Sequence, residues 1–171
     1  DSLFSVSAGA AIESALVLKA ADAARAAGDV VTAVRRLRML LEDSLAAGVH
    51  RQALIRLAEA SRAGKRPGDA IQAYQTFLAR YAGDDAAPWA LLAIGDVTER
   101  AFGNLTRAAE VYGAVLDRYG TSVVADRAQF AQARTYEMAG RFGAAADAYQ
   151  QVWRQFPASP LAADARKKYD D

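Results

Sequence analysis

The sequence predicts an all-α protein made of stacked helix hairpins, and three observations carry that prediction. Ala33, Ala70, Ala108 and Ala145 recur at intervals of 37, 38 and 37 residues. Four positions after each stand Leu37, Tyr74, Tyr112 and Tyr149, and eight positions after each stand Leu41, Leu78, Leu116 and Trp153. Spacings of four and eight place side chains on one stripe of an α-helix. Strand signals are almost missing: Val30-Val31 and Val123-Val124 are β-branched, but each opens a helical pattern and neither alternates. A stripe returning at this period marks repeats that bury a core only when stacked on one another.

The pattern places helices at about 9–27, 30–46, 49–63, 67–81, 85–101, 104–118, 122–139, 142–155 and 160–169. Each break has a local cause. Gly28-Asp29 supplies a helix stop and then an N-cap. Gly64 closes one helix, and Pro67 falls in a first turn, where its missing N–H costs nothing. Asp84-Asp85 suits the positive end of the helix that follows. Gly103-Asn104 repeats the stop-and-cap logic, as does Gly140 ahead of Arg141-Phe142. Ser159-Pro160 reads as a cap followed by proline at the first helical position. No Gly/Ser-rich linker divides the chain, so a single continuous domain over 1–171 is expected.

Stacked hairpins need small residues where helices cross and large ones where they interlock. The small set is Ala21, Ala58, Gly95 and Ala133 on the first helix of each pair, facing Ala33, Ala70, Ala108 and Ala145 on the second. The large set includes Leu57, Leu91, Tyr136, Tyr74, Phe77, Tyr112, Leu116, Tyr149 and Trp153. Hydrophobic residues make up 53% of the chain, enough for such a core. Net charge is +1, so no global field draws the chain toward nucleic acid or an anionic membrane. Cysteine is missing, which excludes disulfides, thiolate metal sites and a cysteine nucleophile. The uncharged opening stretch 2–12 is too short to span a bilayer. The chain opens on Asp1 rather than Met, which predicts a processed product or a piece of a longer chain.

The last unit reads Ala133-x-x-Tyr136-x-x-x-Gly140-Arg141-Phe142-x-x-Ala145-x-x-x-Tyr149 and ends at Phe156-Pro157. This order resembles the tetratricopeptide repeat. The unit before it matches through Gly95, Ala108, Tyr112 and Leu116, with one extra residue in its inner turn. The second matches through Ala58, Ala70, Tyr74 and Phe77, with Pro67 where an aromatic is usual. The first is the weakest, since Leu37 replaces the second tyrosine. The resemblance implies a right-handed α-solenoid of about four hairpins, at 14–47, 51–84, 88–121 and 126–159, with a capping helix over 160–169. Arg166, Lys167 and Lys168 face water near the negative end of that cap. Leu3, Phe4, Val6 and Ile12 precede the first hairpin, where they pack onto it or mark a surface that a partner covers.

The period exceeds the usual repeat by a few residues, inserted after each second helix as Arg80-Tyr81-Ala82-Gly83-Asp84, Arg118-Tyr119-Gly120-Thr121-Ser122 and Phe156-Pro157-Ala158-Ser159-Pro160. Such phrases are similar to those of bacterial cell-envelope repeat proteins, among them the Tol-Pal periplasmic coordinator and the repeat lipoprotein of outer-membrane assembly. That likeness implies a periplasmic or envelope location, with the cytoplasm as the alternative.

In the family, first helices line a concave groove. Carried across, the groove positions are Gln52, Ile55, Glu59 and Arg62 in the second unit, and Trp89, Leu92, Asp96, Glu99 and Arg100 in the third. The fourth contributes Arg127, Phe130, Arg134, Glu137 and Met138. Apolar anchors mixed with both charges suit a peptide or protein segment. The subtype that clamps a C-terminal carboxylate through asparagine and lysine does not fit, because its positions hold Glu59, Asp96 and Arg134, and the two acids repel such a ligand.

No constellation for chemistry emerges. His50, the lone histidine, reads as a solvated turn residue beside Arg51. Gly64-Lys65 lacks the earlier glycine of a phosphate loop. Asp84-Asp85 and Asp170-Asp171 lack the spaced donors of a calcium site. Arg35, Arg36 and Arg38 read as a solvent face relieved by Glu42 and Asp43. The expectation is therefore a non-catalytic scaffold with no cofactor, metal or nucleic acid and a protein partner. A self-associating or accessory module of a larger protein is the second reading.

Overall fold

The computed structural model describes residues 2–42 and 46–170, and the side chains of residue 9 and of those from 11 onward. The predicted roles of Leu3, Phe4, Val6, Asp43 and Asp171 lie outside the described residues. Among the described residues every regular element is an α-helix. The all-α prediction therefore holds.

The chain divides into two compact units, Asp1–Ala82 and Gly83–Asp171. The first holds α1 (Ser2–Ala26), α2 (Val30–Glu42), α3 (Ala47–Ala63) and α4 (Pro67–Arg80). Each packs on the next, and α1 also touches α3. The second unit holds α5 (Ala87–Phe102), α6 (Leu105–Tyr119), α7 (Ala125–Met138), α8 (Phe142–Gln155) and α9 (Ala162–Asp170). Here α5 packs on α6, α6 on α7, α7 on α8, and α8 on α9.

The crossing residues behave as their size requires. Ala33, Ala58, Ala70, Ala108 and Ala133 are fully buried, as are Phe77 and Tyr112. Gly95 shows why one position tolerates no side chain: a Cβ built there lies 2.5 Å from Cε1 of Tyr112. Helix α5 thus approaches α6 across the flat of a tyrosine ring. Three members of the large set are less enclosed than expected. Leu116, Tyr136 and Trp153 are half-buried. Tyr136 lies under the Arg141 guanidinium, 4.6 Å from the ring centre. Trp153 meets Tyr169 of α9 edge-on at 5.2 Å.

The stops and caps follow local chemistry. Gly103 ends α5 with φ of 62°, the left-handed conformation that side chains resist. The Asn104 side chain then accepts the Arg107 N–H at 3.0 Å. Asp29 caps α2 in the same way through the Thr32 N–H at 3.0 Å. After α3 the left-handed position falls on Lys65 (φ 56°) and not on Gly64. Gly64 is needed for another reason, since its Cβ would meet Cγ1 of Val30 at 2.7 Å.

Several helix starts differ from the sequence pattern, and one repeated turn explains three of them. The N–H groups of Ala87, Ala125 and Ala162 donate to the carbonyls of Asp84, Ser122 and Ser159, at 2.9, 3.1 and 3.1 Å. A tight turn thus precedes α5, α7 and α9, and delays each by two or three residues relative to the expected 85, 122 and 160. Pro160 accordingly sits in that turn and not at the first helical position. At the other extreme, α1 starts at Ser2 rather than 9.

Candidate protein-interaction surface

In the second unit α5 and α7 run side by side in the same direction, tied near both ends. Near their starts, the Arg127 guanidinium lies 5.0 Å from the Trp89 ring centre. Toward their ends, Arg134 Nη2 meets Glu99 Oε1 at 2.6 Å. Trp89 remains 45% exposed. Its indole thus packs under one cation and remains partly open to solvent.

A chain of polar side chains lies behind that surface. Tyr112 Oη lies 2.9 Å from Asp96 Oδ1 and 3.2 Å from Glu99 Oε2, its single proton shared between the two carboxylates. Thr135 Oγ1 approaches Glu99 Oε2 at 3.0 Å and the Ala131 carbonyl at 2.7 Å. Burial first, and then the neighbouring Asp96 and Glu99 carboxylates, push the Tyr112 phenol far above its ordinary value, so it remains a donor. One repeat later the motif returns: Tyr149 Oη donates to Glu137 Oε2 at 2.6 Å, and Lys168 Nζ reaches Glu137 Oε1 at 2.9 Å.

These contacts sort the expected groove positions. Trp89, Arg100, Arg127 and Met138 are exposed, while Asp96, Phe130, Arg134 and Glu137 are half-buried. Phe130 rests edge-on against Tyr149 at 5.4 Å. Two positions differ from the expectation of an open surface. Leu92 is 3% exposed, a core residue. Glu99 is also buried, its carboxylate occupied by Arg134, Thr135 and Tyr112. In the first unit, Gln52 and Arg62 of α3 are exposed, and Ile55 and Glu59 are half-buried. Gln52 Oε1 accepts from Arg56, whose Nε pairs with Asp22 of α1 at 2.9 Å.

One further expectation needs correcting. His50 is not a turn residue: it lies in the first turn of α3, half-buried, with Nδ1 2.9 Å from Tyr81 Oη. Desolvation, and secondly the Arg80 charge, lower its pKa below the ordinary 6.5. The arginines of α2 lie exposed, as expected, and two of them also reach neighbouring helices. Arg38 pairs with Asp69 of α4 at 3.1 Å, and Arg36 donates to the Ala20 carbonyl at 2.9 Å. Sequence reasoning also missed the tyrosine–carboxylate pairs. Glu99 and Glu137 stand 13 and 12 residues ahead of Tyr112 and Tyr149, a recurrence that was there to be read.

Among the described residues, no group of three His, Cys, Asp or Glu side chains is placed to hold a metal ion, and no helix is long and apolar enough to cross a membrane. Helix hairpins joined by tight turns, with small residues buried where the helices cross and Gly95 against the Tyr112 ring, define a helical-repeat protein of the kind that binds other proteins. A family model described as tetratricopeptide repeat matches residues 18–85 and 97–160, and the chain belongs to that family. Its repeats generally mediate protein–protein interaction and typically serve as non-catalytic scaffolds.

Solved structures agree on the fold. The chain is similar to the putative kinesin light chain nearly identical TPR-like repeats of Podosopora anserina, at 16% identity and a TM-score of 0.66, over 90% of this chain and 82% of that one. It is similar to a tetratricopeptide repeat protein from Parabacteroides merdae, at 14% identity and a TM-score of 0.73, over 92% of this chain and 59% of that one. It is similar to MamA, at 18% identity and a TM-score of 0.62, over 88% of this chain and 90% of that one. No curated protein sequence matches the chain significantly.

Proposed function

We propose that the chain is a non-catalytic scaffold and that the α5/α7 face of its second unit holds a peptide or protein segment. The observation that carries this reading is the half-exposed Trp89 indole under the Arg127 guanidinium. Tryptophan and arginine are both enriched among the residues that carry binding energy at interfaces. Phe130, Arg134 and Asp96 extend the surface with one apolar and two charged groups. The α3 set of the first unit, Gln52, Ile55, Glu59 and Arg62, is a separate, smaller candidate surface.

The test uses the chain as bait with Trp89→Ala and Arg127→Ala combined. Both residues lie outside the core, so helicity by circular dichroism should match the parent. Proteins held by the parent and released by the double variant support the reading. Undiminished capture moves the site elsewhere. Arg134 is unsuitable for this purpose, because its removal strips a buried carboxylate.

An envelope location belongs to the same proposal. It is supported by the Arg-Tyr and Phe-Pro phrases that close α4, α6 and α8. Fractionation of cells expressing the natural gene tests it, and recovery in the cytoplasm alone rejects it. Self-association is the competing role, and sedimentation equilibrium at rising concentration separates the two.

A further inference from the structure

On the reading that the α5/α7 face binds a protein or peptide segment, we infer that buried Glu99 is its positioning residue. Glu99 holds α5 and α7 at the spacing at which the Arg127 guanidinium meets the Trp89 indole. Among the described residues it is the only charged side chain that is buried. Its carboxylate is met from two neighbouring helices at once. Oε1 accepts from Arg134 Nη2 of α7 at 2.6 Å. Oε2 lies 3.2 Å from Tyr112 Oη of α6 and 3.0 Å from Thr135 Oγ1 of α7. Tyr112 and Thr135 are fully buried, so neither hydroxyl follows the carboxylate toward water.

This matters because α5 and α7 pack on α6 far more than on each other. Their mutual placement therefore rests on α6 and on side-chain bridges. One bridge, Arg127 over Trp89, is weak, because a cation over a half-exposed ring loses little by moving into water. The bridge through Glu99 has no such freedom: both carboxylate oxygens are engaged, by groups on both neighbouring helices.

The fold itself does not require a buried acid here. The corresponding position of α3, 37 residues earlier, holds the exposed Arg62. The first unit forms its hairpins with no buried charge among its described residues, and joins α1 to α3 through the half-buried Asp22 and Arg56. A buried ion pair regains in attraction little more than its desolvation costs, so it adds little net stability; what it adds is one defined geometry. The motif returns at Glu137, 38 residues after Glu99, which is met by Tyr149 of α8 at 2.6 Å and Lys168 of α9 at 2.9 Å. That acid is only half-buried, so the firmer of the two stands on the helix that carries Trp89.

The test reads the Arg127–Trp89 contact by proton NMR and needs no partner. Arg127 side-chain protons over the indole carry an upfield ring-current shift, and Trp89→Ala shows how much of it the indole supplies. Glu99→Gln turns one carboxylate oxygen into an NH2 donor, which then faces Arg134 or the two hydroxyls. It should lose most of the shift while keeping parental helicity. Thr135→Val removes one hydroxyl with little change of shape and should lose a smaller part; it decides the matter if Glu99→Gln does not fold. Leu54→Ala, a core change in the first unit, controls for general loosening and should keep the shift. A parental shift in folded Glu99→Gln would overturn the assignment. So would a parental shift in Thr135→Val where Glu99→Gln does not fold, or an equal loss in Leu54→Ala. Failure of the face is a separate result, because the Trp89 and Arg127 bait experiment reads capture and not spacing. Undiminished capture there, with the shift lost in Glu99→Gln, would reject the binding face and keep Glu99 as the residue that places Arg127 on Trp89.

Discussion

Arg134 and Glu99 meet at 2.6 Å across 35 residues of sequence, with the carboxylate side chain 6% exposed and the guanidinium side chain 37% exposed. The pair ties two parallel first helices together at the back of the candidate surface. Removing the arginine leaves the carboxylate in its buried place with Tyr112 and Thr135 as remaining donors. Arg134→Ala should therefore cost about 1–3 kcal/mol, less than the cost of stripping a buried ion of every partner. Urea unfolding followed by tryptophan fluorescence measures it. Adding Glu99→Gln should recover part of the loss, because a neutral amide needs no counter-ion there.

Glycine substitutions in the second unit should have opposite outcomes at two positions. Gly95→Ala drives a methyl group into the Tyr112 ring, and should cost about 1–3 kcal/mol through overpacking. Gly143 lies in the first turn of α8, with nothing within 4 Å of a Cβ built there. Gly143→Ala should leave the melting temperature unchanged or raise it slightly, by up to about 0.5 kcal/mol of helix propensity. A parental melting temperature for Gly95→Ala would refute the close-approach account. On the other helix of the same pair, Ala108, fully buried, should be as costly to replace by leucine as Gly95 is by alanine.

His50 should make the first unit sensitive to mild acid. Its pKa is held below the ordinary 6.5 when folded, by desolvation and then by Arg80, so the unfolded chain takes up the proton first as pH falls. Stability is therefore full above about 6.5 and declines as pH drops below that value. His50→Gln removes the titration while keeping a polar partner for Tyr81. Thermal melts between neutral and mildly acid pH should converge for parent and variant at the lower end. Parallel profiles across the whole range would show that another group is responsible.

Glu137 acts in a lower window. The hydrogen bond from Tyr149, and then Lys168, hold its carboxyl below the ordinary 4.5. The stability it contributes is present above about 4.5 and lost as pH falls through the lowered folded value. Tyr149→Phe should raise the Glu137 pKa toward its ordinary value, visible by carboxyl NMR titration. The same change should destabilise the protein by about 0.5–1.5 kcal/mol, a discounted figure because Glu137 is partly exposed.

What the sequence by itself determined about this protein is what depends on near neighbours along the chain. Helix positions followed from stripes four residues apart, and caps from Asp29 and Asn104. The crossing alanines and Gly95 followed from a period that repeats the same contact. The family resemblance was legible for the same reason, because each repeat spells its own hairpin. Leu92 and Glu99 show where this stops. Both occupy positions that a repeat template assigns to an open face, yet both are enclosed, since burial depends on what the neighbouring helix presents. Only the tertiary structure decided that Arg134 answers Glu99, that Arg38 answers Asp69, and that His50 leans on Tyr81. Each pair joins residues 31 to 35 positions apart. A charge or ring of that kind has many candidate partners within reach of a folded chain. Helical periodicity ranks none of them, because it describes a helix's own faces and not which side chain of the adjoining helix meets them.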